Sequence, residues 1–246
     1  MGAQPSLTYC GSMKFKYPEL ETESHNGQRW YLTPNGAMPS ITTIIGQTTP
    51  PEKVASLENW KNSLGIEKAA AVSKKAINHG TNVHLLAERH LKKEDVLAPI
   101  NGQPVPEADR NAFNALKLKL NKIEEIWGQE VALYSNTIEV AGRCDLIGVF
   151  KGKPVIIDFK TSSRVKSRKD IADYALQLLF YGLSHNSMFD TSIETGVILM
   201  VAETGFPMEF TVKFTSSLEL ALLERVNTFY SQYYISITDY ECKFKP

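Results

Sequence analysis

Cysteine is scarce in this 246-residue chain: Cys10, Cys144 and Cys242 are odd in number and scattered. No C-x-x-C pair occurs, so neither a disulfide framework, a structural zinc nor a four-cysteine iron-sulfur cluster is supported. Long apolar runs are missing too, and none approaches the ~20 residues of a membrane span. Excess charge is absent: 27 Lys and Arg balance 27 Asp and Glu, for a net +0, which removes any global argument for a nucleic-acid partner. His84 and His90 stand six apart, so the i, i+4 histidine pair of a zincin is excluded. No internal repeat or low-complexity tract is visible. The early residues Glu19, Glu21 and Glu23 do not fit an Arg-rich, acid-poor transit segment, and no secretory apolar run precedes them. Met1, Gly2 and Ser6 match a loose myristoylation pattern, which Pro5 and the lack of a basic cluster argue against. These absences lead to the expectation of a soluble intracellular protein.

Apolar residues make up 43% and charged residues 22% of the chain, the balance of an ordinary globular protein. Its length suits one large domain, or one domain with an appended arm. Residues 1–38 read as an arm and hairpin, with extended structure near 14–17, a strand at 29–33 and a turn at 34–36. Residues 39–129 read as a helical portion. Ser40 caps a helical turn, and Val54, Leu57, Trp60 and Leu64 fall at helical spacing, with Trp60 read as core rather than a stacking platform. A helical run over 66–77 breaks at Gly80, after which Thr81 caps a helix to Leu91 carrying His84 and Glu88 on one face. The Pro-rich segment 98–107 reads as a connector, and Phe113, Leu116, Leu120, Ile123 and Trp127 continue helical spacing. From 130 to 246 the pattern is a sheet with helices: strands at 130–134 and 138–145, a helix over 171–183, strands near 196–202 and 207–214, and a long closing helix.

The most informative stretch is GRCDLIGVFKGKPVIIDFK at 142–160. Lys151 and Gly152 turn between two strands, forming a β-hairpin. Side chains alternate in a strand, so Asp158 and Lys160 share one face. Ionised Asp and Lys at the end of a Val-Ile-Ile run need pairing or a ligand. Asp145, Asp158 and a backbone carbonyl, that of Phe159, form a hard oxygen set suited to Mg²⁺ or Mn²⁺. Beside it Lys151, Lys153, Lys160, Arg164, Lys166, Arg168 and Lys169 face a single acid, Asp158, over residues 151–169. Such a basic run beside a metal suits a phosphate backbone, whereas alone it is a solvated face. Gln177 and Tyr181, four apart on a helix, read most simply as half-exposed core positions.

Four motifs in this order, GTNVH at 80–84, GRCDLIG at 142–148, IIDFK at 156–160 and QLLFY at 177–181, resemble those of the PD-(D/E)XK nuclease superfamily, in its RecB-type exonuclease branch. Within that branch the chain looks most like mitochondrial and phage-encoded exonucleases, over about residues 39–184. The resemblance implies an α/β fold: a restriction-endonuclease-like core with a central mixed β-sheet flanked by helices, behind a helical N-terminal portion. It implies that Asp145 and Asp158 bind Mg²⁺ or Mn²⁺, that Lys160 activates or positions the attacking water, and that His84 sits near the metal. Gln177 and Tyr181 would orient the lysine or contact DNA, and Glu130 would add an acid. Arg143 and Cys144 receive no role. The implied activity is exonucleolytic hydrolysis of single-stranded DNA or DNA ends by a monomer working with replication or recombination proteins, in the cytoplasm of a bacterial or phage-infected cell rather than a mitochondrion. A structure-specific endonuclease of the same fold, or a non-catalytic DNA-binding accessory protein, stands as the alternative.

Overall fold

The structure, a computed structural model, describes residues 14–244, with side chains through Tyr233. Cys10, the Met1, Gly2 and Ser6 pattern and the Cys242 side chain lie outside the described residues. A small antiparallel sheet comes first: β1 (Thr22–His25), β2 (Gln28–Thr33) and β3 (Gly36–Pro39), in that order. Asn26 and Gly27 both take positive φ, 52° and 75°, as the tight β1–β2 turn requires. Ser40 then caps α1 (Ile41–Gln47), its Oγ accepting from the Thr43 N–H at 2.9 Å as the sequence suggested.

Three helices of the N-terminal portion follow, and each differs in part from the sequence reading. In α2 (Pro51–Leu64) no residue is buried; Leu57 is 51% exposed, and Trp60 is only half-buried instead of core. Periodicity detects a one-sided apolar face but not whether anything covers it. Here α2 lies against α3 and is tied to the body by the Lys53–Asp173 ion pair at 3.0 Å. The next helix, α3 (Ile66–Leu91), is continuous through Gly80, so Thr81 is not a cap. An interior glycine costs a helix only about 1 kcal/mol relative to alanine. It also allows close approach, since a Cβ at Gly80 would sit 3.3 Å from Thr161 Oγ1. After the connector comes α4 (Glu107–Leu120), which packs on α3. His79 and Asn82 of α3 hold the buried Asp109 carboxylate of α4, at 2.5 and 2.6 Å.

The helical spacing read through Trp127 crosses an element boundary, because Ile123 and Trp127 belong to β4 (Ile123–Ser135). Residues four apart on a straight strand share a face. Register shifts between Ile123 and Glu125 and between Ile126 and Gly128 change this, so Ile123 enters one core and Trp127 the other. The main sheet adds β5 (Val140–Phe150), β6 (Lys153–Ser162), β7 (Thr195–Ala202) and β8 (Pro207–Lys213), in the order β4-β5-β6-β7-β8. Only β6 and β7 are parallel, and their crossover is a 3₁₀ turn (Arg168–Ile171) leading into α5 (Ala172–Phe189). The last helix is α6 (Ser216–Phe244).

Alternation along β6 separates two cores. Val155, Ile157 and Phe159 pack with Val83, Leu86 and Leu116 of α3 and α4, while Ile156 packs with Leu178 and Phe180 of α5 and Val226 of α6. Each such buried side chain stabilises the fold by about 1.5–3 kcal/mol. The result is the expected α/β architecture, a mixed sheet flanked by helices behind a helical N-terminal portion.

Candidate active site

The site forms where two strands separate. β5 and β6 pair from Phe150↔Lys153 to Leu146↔Ile157. One step further the register would set Asp145 opposite Asp158. There the ladder stops: β5 continues paired with β4, and β6 with β7 as far as Ser162. Backbone groups that lose a ladder partner inside a protein must be satisfied otherwise. The Phe159 N–H accordingly donates to Asp145 Oδ2 at 2.8 Å. A residue in an extended strand turns its N–H and C=O to the same side, so the Phe159 carbonyl faces the same opening.

Asp158 and Lys160 point together, as alternation requires. Asp158 is only 1% exposed, and both its carboxylate oxygens lie 2.6 Å from Lys160 Nζ. Oδ1 accepts a directed hydrogen bond, and the buried Oδ2 has none. The Asp158 carboxyl is held up at about 6, because burial raises it more than Lys160 lowers it and the Asp145 charge raises it further. Burial opposes the Lys160 charge, but Asp158 and Asp145 outweigh it and leave the ammonium harder to deprotonate than usual. Lys160 Nζ also lies 5.3 Å from the Tyr174 ring centroid.

His84 of α3 reaches the opening from the opposite face of the sheet. Its Nδ1 is 3.4 Å from Asp145 Oδ2, and its ring meets Phe159 edge-on at 5.9 Å. Glu130 arrives from β4, in a left-handed conformation with φ 52°, a strained state for a non-glycine residue. Ligand atoms of His84, Glu130 and Asp145 all lie within 4.8 Å of one another. The Glu130 carboxyl is raised to about 7, by burial first and then by the charges of Asp145 and Glu88. Two mutually repelling carboxylates and an imidazole, with Asp158 Oδ2 nearby lacking a directed hydrogen bond, fit a divalent cation that prefers oxygen ligands. Asp158 stands apart from the three-residue cluster, because its carboxylate is turned to Lys160.

A cavity of about 490 Å³ is lined by His84, Glu130 and Asp145, whereas Asp158 and Lys160 lie behind its wall. His84 and Glu88 line it together, as their spacing implies, and so do Gln177 and Tyr181. The last two are buried rather than half-exposed, at 7% and 2%, and Gln177 Nε2 donates to Tyr181 OH at 3.3 Å. Gly142 is explained by this packing: a Cβ there would lie 2.8 Å from the Tyr181 ring. Lining residues that the sequence reading missed are Arg29, Tyr31, Ser40 and Thr42. They come from the small sheet and the start of α1, docked on β5 through the Ser40↔Ala141 bridge. No spacing rule links them to residues more than 100 positions away, and Tyr174 by Lys160 was likewise without a motif.

The basic run does not form one patch beside the site. Lys151 and Lys153 stand at the β5–β6 turn, at the other end of β6 from Lys160, and Lys151 is paired with Glu209. Arg164, Lys166, Arg168 and Lys169 follow the Lys160 end of β6. Arg164 binds Asp170 at 2.5 Å, and Arg168 donates to the Thr211 carbonyl at 3.1 Å, so both are partly committed to holding the loop.

The family model for the PD-(D/E)XK nuclease superfamily matches residues 60–200, more than half of the chain. Mitochondrial genome maintenance exonuclease 1 of Xenopus tropicalis is 27% identical over 186 residues, covering 70% of this chain and 51% of that protein. The Mus musculus protein of the same name is 26% identical over 178 residues, covering 70% and 52%. The chain thus spans about half the length of the curated relatives it matches. A crystal structure from Eubacterium rectale, described as a candidate exonuclease, overlaps 64% of this chain and 65% of its own, with a TM-score of 0.46 and 12% identity.

Proposed function

Because the chain belongs to the PD-(D/E)XK nuclease superfamily, we propose that it is a metal-dependent deoxyribonuclease that hydrolyses phosphodiester bonds from DNA ends. The observation that carries this is the split between β5 and β6, which brings Asp145, Asp158 and Lys160 to one opening beside His84 and Glu130. Asp145, Glu130 and His84, with the Phe159 carbonyl, would hold Mg²⁺ or Mn²⁺, and Asp158 would join them through Oδ2 while Oδ1 keeps its hydrogen bond to Lys160. Bound there, the cation supplies Lewis acidity and lowers the pKa of a coordinated water. Lys160, kept charged by two carboxylates, supports an electrostatic role rather than that of general base: its ammonium donates to the attacking water or to a nonbridging phosphate oxygen. Asp158 orients that ammonium. Gln177 and Tyr181 wall the cavity and keep bulk water from its inner end. The cavity falls in the range of ~300–1,000 Å³ that holds a drug-sized ligand, which suits a nucleotide of a single strand better than a duplex.

The test is digestion of single-stranded, double-stranded and closed circular DNA, labelled at either end, in Mg²⁺, Ca²⁺ or EDTA. Stepwise release of nucleotides from linear DNA in Mg²⁺ alone, abolished by Asp158→Asn, is expected. Cleavage of closed circles would move the reading to an endonuclease. Binding without cleavage in Mg²⁺ would make the chain a DNA-binding accessory protein.

A further inference from the structure

Next to the catalytic cavity lies a second one of about 560 Å³, and Glu130 and Arg143 line both. Its remaining wall is the segment of residues 17–21 laid against β4, with Gln129 on the β4 side. Three features of this second cavity have no part in the chemistry derived above. First, the exposed Arg143 side chain is pinned by a single bond, Nη1 to the Glu130 carbonyl at 2.8 Å, and it makes no ion pair among the described residues. A guanidinium has five N–H donors in a planar fork that matches phosphate oxygens, so most of its donors face outward from that anchor. Second, Gln129 Nε2 is buried with no hydrogen-bond partner among the described residues, and leaving an amide donor in that state is costly unless a ligand satisfies it. Third, the other side of the cavity carries Glu19 and Glu21, whose charge repels a phosphate and tolerates a neutral group.

We propose that the two cavities hold adjacent nucleotides of one DNA strand. Arg143, at the boundary between them, holds the phosphate next to the scissile one. The base of that neighbouring nucleotide enters the second cavity along Gln129, whose buried amide donates to the base edge once its side chain rotates toward the cavity. Glutamine reads acceptor atoms on bases, and the acidic wall keeps the backbone at the boundary. This assignment rests on the nuclease reading, and makes Arg143 a specificity residue for a strand longer than one nucleotide.

The experiment couples protein and substrate changes. Short single-stranded oligonucleotides carry one neutral methylphosphonate, either 5′ or 3′ of the cleaved bond, and kcat/KM is compared for wild type and Arg143→Ala. On the all-phosphate strand the substitution is expected to cost about 10- to 100-fold, the worth of a hydrogen bond to a charged group, mainly in KM. On one of the two methylphosphonate strands that difference is expected to vanish. Gln129→Leu is expected to cost about 2- to 10-fold, and nothing on a strand abasic at the neighbouring nucleotide. An equal Arg143→Ala loss on every substrate overturns the assignment, since a merely structural arginine would not distinguish them. If no DNA is cleaved at all, the nuclease reading fails separately. The same comparison is then read as fluorescence anisotropy of the labelled strands in Ca²⁺, where coupling supports the subsite and its absence refutes it.

Discussion

Glu130→Gln is the perturbation with the clearest signature. In the folded protein the Glu130 carboxyl is raised from its ordinary 4.5 to about 7, through burial first and then the charges of Asp145 and Glu88. One decade of proton affinity is worth about 1.4 kcal/mol, so ionised Glu130 costs the fold at most about 3 kcal/mol. The side chain keeps an edge toward water, and screening there brings the figure to about 1.5 kcal/mol. The sign follows from proton binding. Between the two pKa values the folded state binds more protons than the unfolded one, so stability falls as pH rises from about 4.5 to 7. Glutamine removes that titration. In EDTA at pH 8 the variant is therefore expected to melt about 3–6 °C above wild type, taking about 2–4 °C per kcal/mol for a chain of this size. At pH 5 the gap shrinks to about 1 °C. Added Mg²⁺ should reverse the order, because a cation binding only the native state at 100 times its Kd stabilises by about 2.7 kcal/mol, and the neutral amide of the variant is a poorer ligand than the carboxylate it replaces. Differential scanning calorimetry at both pH values, with and without Mg²⁺, reads all of this. A gap independent of pH would refute the electrostatic account, and equal stabilisation of both proteins by Mg²⁺ would remove Glu130 from the metal set.

Lys160→Met leaves Asp158 buried without its counter-ion and should lower stability by about 3–5 kcal/mol at pH 8. The loss should shrink as pH falls and Asp158 takes up a proton, and the double variant with Asp158→Asn should recover much of it, as urea midpoints would show. Gly142→Ala drives a Cβ to 2.8 Å from the Tyr181 ring and 3.2 Å from Ile41 Cγ2; overpacking of that kind should cost about 1–3 kcal/mol and reduce nuclease rate by displacing Tyr181. Gly148→Ala is more severe, because its Cβ would overlap the Glu125 carbonyl oxygen, a backbone atom that cannot swing aside, and soluble yield should collapse. His84→Ala should slow DNA hydrolysis by about 10- to 100-fold or more. A wild-type rate would remove His84 from the site and leave the rest standing.

Much of the fold was legible locally. Ser40 as a cap, the hairpin at Lys151 and Gly152, and the shared face of Asp158 and Lys160 each depend on neighbours within a few residues. The misreadings have one origin. Spacing reports which residues could share a face, so it extended a helix into β4, ended one at Gly80 and buried the stripe of α2. In each case packing partners distant in sequence set the outcome.

For the site the division is sharper. The sequence alone determined the chemical inventory, two aspartates and a lysine at a strand end, a histidine on a helix and a glutamine and tyrosine one turn apart, because strand alternation and helical pitch are properties of the backbone. Only the tertiary structure decided that β5 leaves β6 at Asp145, that Glu130 is held with φ 52° facing Asp145 and His84, and that Arg29 and Thr42 close the cavity. It also separated Lys151 and Lys153 from the site and placed Arg143 between two cavities. These depend on where a sheet splits and which distant strand docks beside the split, and both follow from the summed packing of the whole chain, which no local spacing encodes.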